Sequence, residues 1–132
     1  MDLEILKIAS NTKNHKIIKN HTHYSKNKNP ICGDEMEISL IVKNDLIEDI
    51  GYQCKSCVYC QASVSMLSNK IKNKKIEEIK DFISSIDCFF EDIEIKVEKK
   101  WISFKEILNK KNISRKECLL LPFRTISKAL KF

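Results

Sequence analysis

Residues 36 to 53, Met36-Glu37-Ile38-Ser39-Leu40-Ile41-Val42-Lys43-Asn44-Asp45-Leu46-Ile47-Glu48-Asp49-Ile50-Gly51-Tyr52-Gln53, decide the fold class. Met36, Ile38, Leu40 and Val42 alternate with Glu37, Ser39 and Lys43, the period of a strand that turns one face to a core. Lys43-Asn44-Asp45 supplies turn chemistry, and a second strand from Leu46 to about Gln53 completes a hairpin. After Cys57 the period lengthens to that of a helix, with Cys60, Val64, Leu67 and Ile71 on one stripe. Ala62, Ser63 and Ser65 lie off that stripe and are small enough to let another backbone come close.

Further out, Leu3 to Ala9 carries apolar groups on one helical face, which predicts a short opening helix. Residues 10 to 29 are rich in Lys, Asn and His, show no period, and are expected to be a mobile polar segment. Ile76, Ile79, Phe82, Ile83 and Ile86 recur at steps of three and four and predict a helix from Lys75 to Phe89. The charged connection 91 to 100, with Ile93, Ile95 and Val97 alternating, suits either a loop or a short extended piece. A short helix near Ile102 to Lys110, seated by Trp101 and Phe104, and a last one from about Leu119 to Phe132 follow, with Pro122 in the first turn of the latter. The expected fold is α+β: one domain over 1 to 132, with a small antiparallel β-sheet and helices packed mainly on one face.

With 42% hydrophobic residues the chain can fill a single core, and no stretch approaches the roughly 20 apolar residues that cross a bilayer. The start of the chain lacks the basic and apolar regions of an export signal, so a cytoplasmic protein without membrane association is expected. In such a compartment the six cysteines argue for metal or sulfur chemistry rather than disulfides. Cys88, within Ile86 to Phe90, is expected to be a small core residue. The net charge of +6 comes from scattered lysines, with only Arg115 and Arg124 as guanidinium forks, and is not the stripe that nucleic acid requires.

Three segments carry chemistry. In Asn29-Pro30-Ile31-Cys32-Gly33-Asp34, Pro30 holds Asn29 extended and Gly33 permits a tight bend, so Cys32 and Asp34 can face one site. Thiolate and carboxylate are both ligands for zinc or iron. In Cys54-Lys55-Ser56-Cys57-Val58-Tyr59-Cys60, Cys57 stands at a helix start, whose partial positive charge favours thiolate; Cys60, one turn on, falls on the buried stripe. Cys118 stands at another predicted helix start, preceded by Arg115 and Lys116, and is a candidate persulfide acceptor by the same reasoning.

Taken together, Asn-Pro-x-Cys-Gly-Asp before a strand, Cys57 followed by Ala62-Ser63-Val64-Ser65-Met66, and Arg115-x-x-Cys118-x-x-Leu121 resemble the IscU, SufU and NifU N-terminal-domain family. The resemblance implies that Cys32, Asp34, Cys57 and Cys118 bind zinc or iron and ligate a transient 2Fe–2S cluster. It also implies that sulfur comes from a cysteine desulfurase of the IscS or SufS type and that the cluster passes to downstream acceptor proteins. The 61 positions between Cys57 and Cys118 resemble the SufU branch, with the region around 91 to 100 as its insertion.

Several positions depart from the family pattern. Glu117 replaces the His that precedes the last Cys in IscU, the Leu-Pro-Pro-Val-Lys signal is missing, Cys54 and Ser56 replace two glycines, and Cys60 stands where a serine is expected.

An alternative within the family is a zinc-dependent persulfide carrier that stimulates a SufS-type desulfurase without building clusters. A ferredoxin-type reading of Cys54, Cys57 and Cys60 lacks the fourth cysteine, for Ala62-Ser63-Val64 stand in its place. A zinc-stabilised nucleic-acid module would draw on the positive charge and on His21-Thr22-His23, and a solvated loop is the simpler reading of that polar segment. No catalytic triad or phosphate-binding loop is present, so turnover without a partner is not expected.

Overall fold

The computed structural model describes residues 3–91 and 96–132. Three antiparallel strands, β1 (His23–Lys28), β2 (Glu35–Lys43) and β3 (Leu46–Lys55), lie in the order β1-β2-β3. The β2–β3 hairpin closes through Asn44 and Asp45, both at positive φ (53° and 61°), the geometry whose twist matches paired strands. Helices α1 (Leu3–Ala9), α2 (Val58–Ile71), α3 (Ile76–Ser84) and α4 (Lys116–Leu130) complete the α+β arrangement. Short 3₁₀ turns at Ile86–Phe90, Lys99–Glu106 and Lys110–Arg115 connect α3 to α4.

Met36, Ile38 and Leu40 of β2 and Ile47 and Ile50 of β3 are fully buried beneath α2 and α4. The stripe Cys60, Val64, Leu67 and Ile71 is buried as expected, and so are Ala62, Ser63 and Ser65 between neighbouring backbones. Ser63 Oγ donates to the Leu119 carbonyl at 2.6 Å, and Ser65 Oγ to the Asn11 carbonyl at 2.7 Å. Small hydroxyls here satisfy carbonyls that a larger side chain would hold apart.

Segment 10 to 29 differs from the polar, mobile stretch expected. It contains β1, whose Ser25 faces inward and donates to the Thr125 carbonyl of α4. Before it, Asn14 accepts from Tyr52 N–H through its backbone carbonyl and donates through its side-chain amide to Ser68 and Asn69, and Ile18 N–H donates to Ser39 Oγ. Ser39, on the sheet face expected to meet water, is buried under this strap. Hydrogen bonds and two buried anchors, Asn14 and Ile18, hold the segment in place where its run of polar residues gave no sign of order.

Gly51 makes the strap possible. A Cβ at this position would lie 2.5 Å from the Lys16 carbonyl oxygen, a contact with backbone that only a shift of the strap relieves. Gly51→Ala is therefore expected to cost about 1–3 kcal/mol of stability, read by chemical denaturation.

Helix boundaries also shift. The predicted helix 75–89 divides into α3 and a 3₁₀ turn, and α4 begins three residues before Leu119. Pro122 thus sits inside α4, not in its first turn, and cannot donate to the Cys118 carbonyl. The short helix near 102–110 is a 3₁₀ turn, with Trp101 and Phe104 buried as expected. In the connection 91 to 100, Ile93 and Ile95 lie outside the described residues. Among the described residues no helix is long and apolar enough to cross a membrane.

Candidate metal centre

The loop before β2 is closed by two backbone bonds: Asn29 N–H donates to the Asp34 carbonyl and Gly33 N–H to the Asn29 carbonyl, each at 2.8 Å. Gly33 has φ +77°, the left-handed region that glycine enters without steric cost. Asn29 Oδ1 also accepts from Ile31 N–H. This compact loop leaves Cys32 exposed and turns Asp34 inward, to 8% exposure.

Cys118, the third residue of α4, meets that loop. Its Sγ is 3.8 Å from Cys32 Sγ, and the donor atoms of Cys32, Asp34 and Cys118 all lie within 4.8 Å of one another. The chain thus joins side chains 86 positions apart. Cys57 is the N-cap of α2, as its sequence position suggests, and its backbone N–H donates to Asp34 Oδ1 at 3.3 Å. Its thiol stands beside that of Cys118, outside the tightest group of three.

Asp34 Oδ2 is buried without a hydrogen-bond partner among the described residues. Leaving a carboxylate oxygen dry and unpaired is costly, and a cation among two thiols and a carboxylate removes that cost. The residues present therefore fit a zinc or iron ion.

The expected thiolate character of Cys118 is not what the surroundings produce. Burial, followed by the neighbouring Cys57 and Cys32 sulfurs, pushes its thiol up. The basic neighbours are engaged elsewhere: Arg115 lies over the Tyr59 ring at 5.2 Å, and Lys116 pairs with Asp87 at 3.2 Å. Glu117 pairs with Arg124 on the outer side of α4. A thiol raised in this way needs a cation to become a ligand, since metal displaces its proton.

Sequence reasoning placed Cys60 in the core, and it is fully buried, with its thiol pushed up by burial. Cys54, half-buried at the end of β3, is pushed up mainly by burial as well, with Asp34 and Cys57 adding to the effect. Cys88 is half-buried rather than fully enclosed. His21 stacks on Tyr24 and His23 pairs with Thr22; neither belongs to a metal-binding group among the described residues.

The family model for the NifU-like N terminal domain matches residues 2–99, about three quarters of the chain. The chain belongs to that family. Across 129 residues, 96% of this chain and 89% of the relative, it is 28% identical to the iron–sulfur cluster assembly scaffold protein IscU of Thermotoga maritima. It is 37% identical to the zinc-dependent sulfurtransferase SufU of Bacillus subtilis over 49 residues, 37% of this chain and 33% of that protein.

Two solved NifU-N-type structures share the fold. The N-terminal NifU-like protein of Brucella abortus superposes with a TM-score of 0.88 at 16% identity, covering 98% of this chain and 91% of that one. A SUF-system scaffold candidate of Fervidobacterium islandicum superposes with a TM-score of 0.85 at 25% identity, covering 98% and 96%. The family model ends before Cys118, so the meeting of Cys118 with Cys32 and Asp34 is seen in the structure of this chain and lies outside the matched stretch.

Proposed function

We infer that this NifU-N-type protein is an iron–sulfur cluster assembly scaffold of the cytoplasm, without turnover of its own. Cys32, Asp34, Cys57 and Cys118 hold zinc or iron and, in assembly, a 2Fe–2S cluster as cargo. Sulfur arrives from a cysteine desulfurase of the IscS or SufS type, and the finished cluster leaves to downstream acceptor proteins. What supports this most is the convergence of Cys32, Asp34 and Cys118 within 4.8 Å around an unpartnered carboxylate oxygen.

The donors divide the work. Cys32 is exposed, so delivered sulfur meets it first, with half-buried Cys57 the next thiol in reach. Cys118, once a cation in the centre has displaced its proton, accepts persulfide sulfur from Cys32 by exchange across 3.8 Å: its thiolate takes the outer sulfur and Cys32 thiolate is released. Asp34, a hard and labile donor among soft ones, keeps the bound cation exchangeable. Asp34→Ala is accordingly expected to slow release of bound metal to a chelator; faster release would remove this role.

A second reading is a zinc-dependent persulfide carrier that activates its desulfurase and builds no cluster. The exposure of Cys32 favours it, because an incoming group can displace that ligand from zinc and free a thiolate. The two are separated by supplying iron, cysteine and a desulfurase. A 2Fe–2S absorption spectrum on the chain supports the scaffold, whereas retained zinc with accelerated desulfurase turnover supports the carrier. Loss of neither metal nor activity in a Cys32, Cys57 and Cys118 replacement series would overturn both.

A further inference from the structure

We propose that Cys57 and Cys60 form a dithiol in which Cys60 releases, as hydrosulfide, a sulfur carried on Cys57. The proposal rests on the sulfur-accepting reading above and extends it, since Cys60 lies outside the donor set and stands where the family pattern has serine. Cys57 caps α2, and its carbonyl takes the first helical hydrogen bond from Gln61 N–H at 3.0 Å. Cys60 is the third residue of that helix. Positions three apart on an α-helix have Cα atoms about 5 Å apart, inside the roughly 4.4–6.8 Å that a disulfide spans. Cys57 has the extended backbone of an N-cap, the position from which a side chain reaches toward the third helical residue, here Cys60.

Burial makes the pair asymmetric. Cys57 is reachable from the site, whereas Cys60 is 0% exposed. A sulfur donor therefore loads the outer thiol, and the inner one is left to react only with its neighbour, the division of labour that suits a Cys-x-x-Cys dithiol. Asp34 is fixed beside Cys57 by the bond from Cys57 N–H to Oδ1, with Oδ2 unpartnered among the described residues, so Cys57 stands at the centre in which iron would await sulfide.

In the reaction the Cys60 sulfur attacks the inner sulfur of the Cys57 persulfide. The persulfide S–S bond breaks, its electron pair leaves on the terminal sulfur, and that sulfur takes the Cys60 proton and departs as hydrosulfide. The terminal sulfur is reduced, and the two cysteine sulfurs are oxidised to a Cys57–Cys60 disulfide. A dithiol reductant then restores both thiols. The dithiol thus provides the two electrons that turn delivered sulfur into the sulfide a cluster requires.

The test treats the metal-free chain with sodium tetrasulfide, removes the excess, and omits reductant. Wild type is expected to release sulfide in proportion to a Cys57–Cys60 disulfide located by peptide mass spectrometry, and dithiothreitol to restore the thiols. Cys60→Ser, and Cys60→Ala as a second variant, are expected to keep the persulfide on Cys57 and lose the release while melting as folded proteins. Persulfide that persists on Cys57 equally in wild type and variants overturns the dithiol and leaves sulfur acceptance standing. A disulfide mapped instead to Cys32 and Cys118, 3.8 Å apart, overturns it as well. Absence of persulfide from Cys32, Cys57 and Cys118 alike overturns both readings.

Discussion

Cys118→Ser is expected to lose bound zinc, with affinity falling by at least about 100-fold, while the folded chain persists. The size of the effect follows from where the thiol stands. Cys118 is buried against Cys32 and Asp34, and a hydroxyl in its place neither ionises nor binds zinc as a thiolate does. The remaining donors cannot close around the ion, and Asp34 Oδ2 stays dry and unpaired. Metal content of the purified variant by elemental analysis, beside competition with a chromogenic chelator, measures the loss. Zinc retained at the wild-type level would remove Cys118 from the centre.

The largest loss of stability is expected from Phe82→Ala, at about 3–5 kcal/mol by chemical denaturation. Phe82 of α3 joins four other aromatic rings. It stacks on Trp101 at 4.6 Å, lies 5.1 Å from Phe104 and 5.7 Å from Phe89, and approaches Phe123 of α4 at 6.0 Å. Truncation removes the ring that ties the 3₁₀ turns to α3 and α4, and rigid neighbours from separate elements cannot collapse into the space. Because α4 also carries Cys118, weaker metal retention is expected to accompany the lower stability. A loss below about 1 kcal/mol would show that the cluster repacks.

These effects differ in how far residue order alone foretells them. Period-two alternation from Met36 to Val42, positive-φ turn residues Asn44 and Asp45, and the stripe from Cys60 to Ile71 are local patterns, and each formed the element expected. The strap at 14–18 was illegible for a physical reason: it is held by Asn14 and by backbone hydrogen bonds, which carry no hydrophobic signature. Gly51, one of only two glycines, was the available sign of a close backbone approach within a strand.

The same division runs through the site. The bend at Gly33 and the positions of Cys32 and Asp34 in one loop depend on short-range sterics, and the start of α2 beside Cys57 on the change of hydrophobic period there, so residue order alone sets them. The approach of Cys118, its burial, the raised thiol and the unpartnered oxygen of Asp34 were decided only when α4 packed across β1 and β2. A thiol's charge state depends on what surrounds it in three dimensions, and basic neighbours in sequence, Arg115 and Lys116, turned to Tyr59 and Asp87 instead.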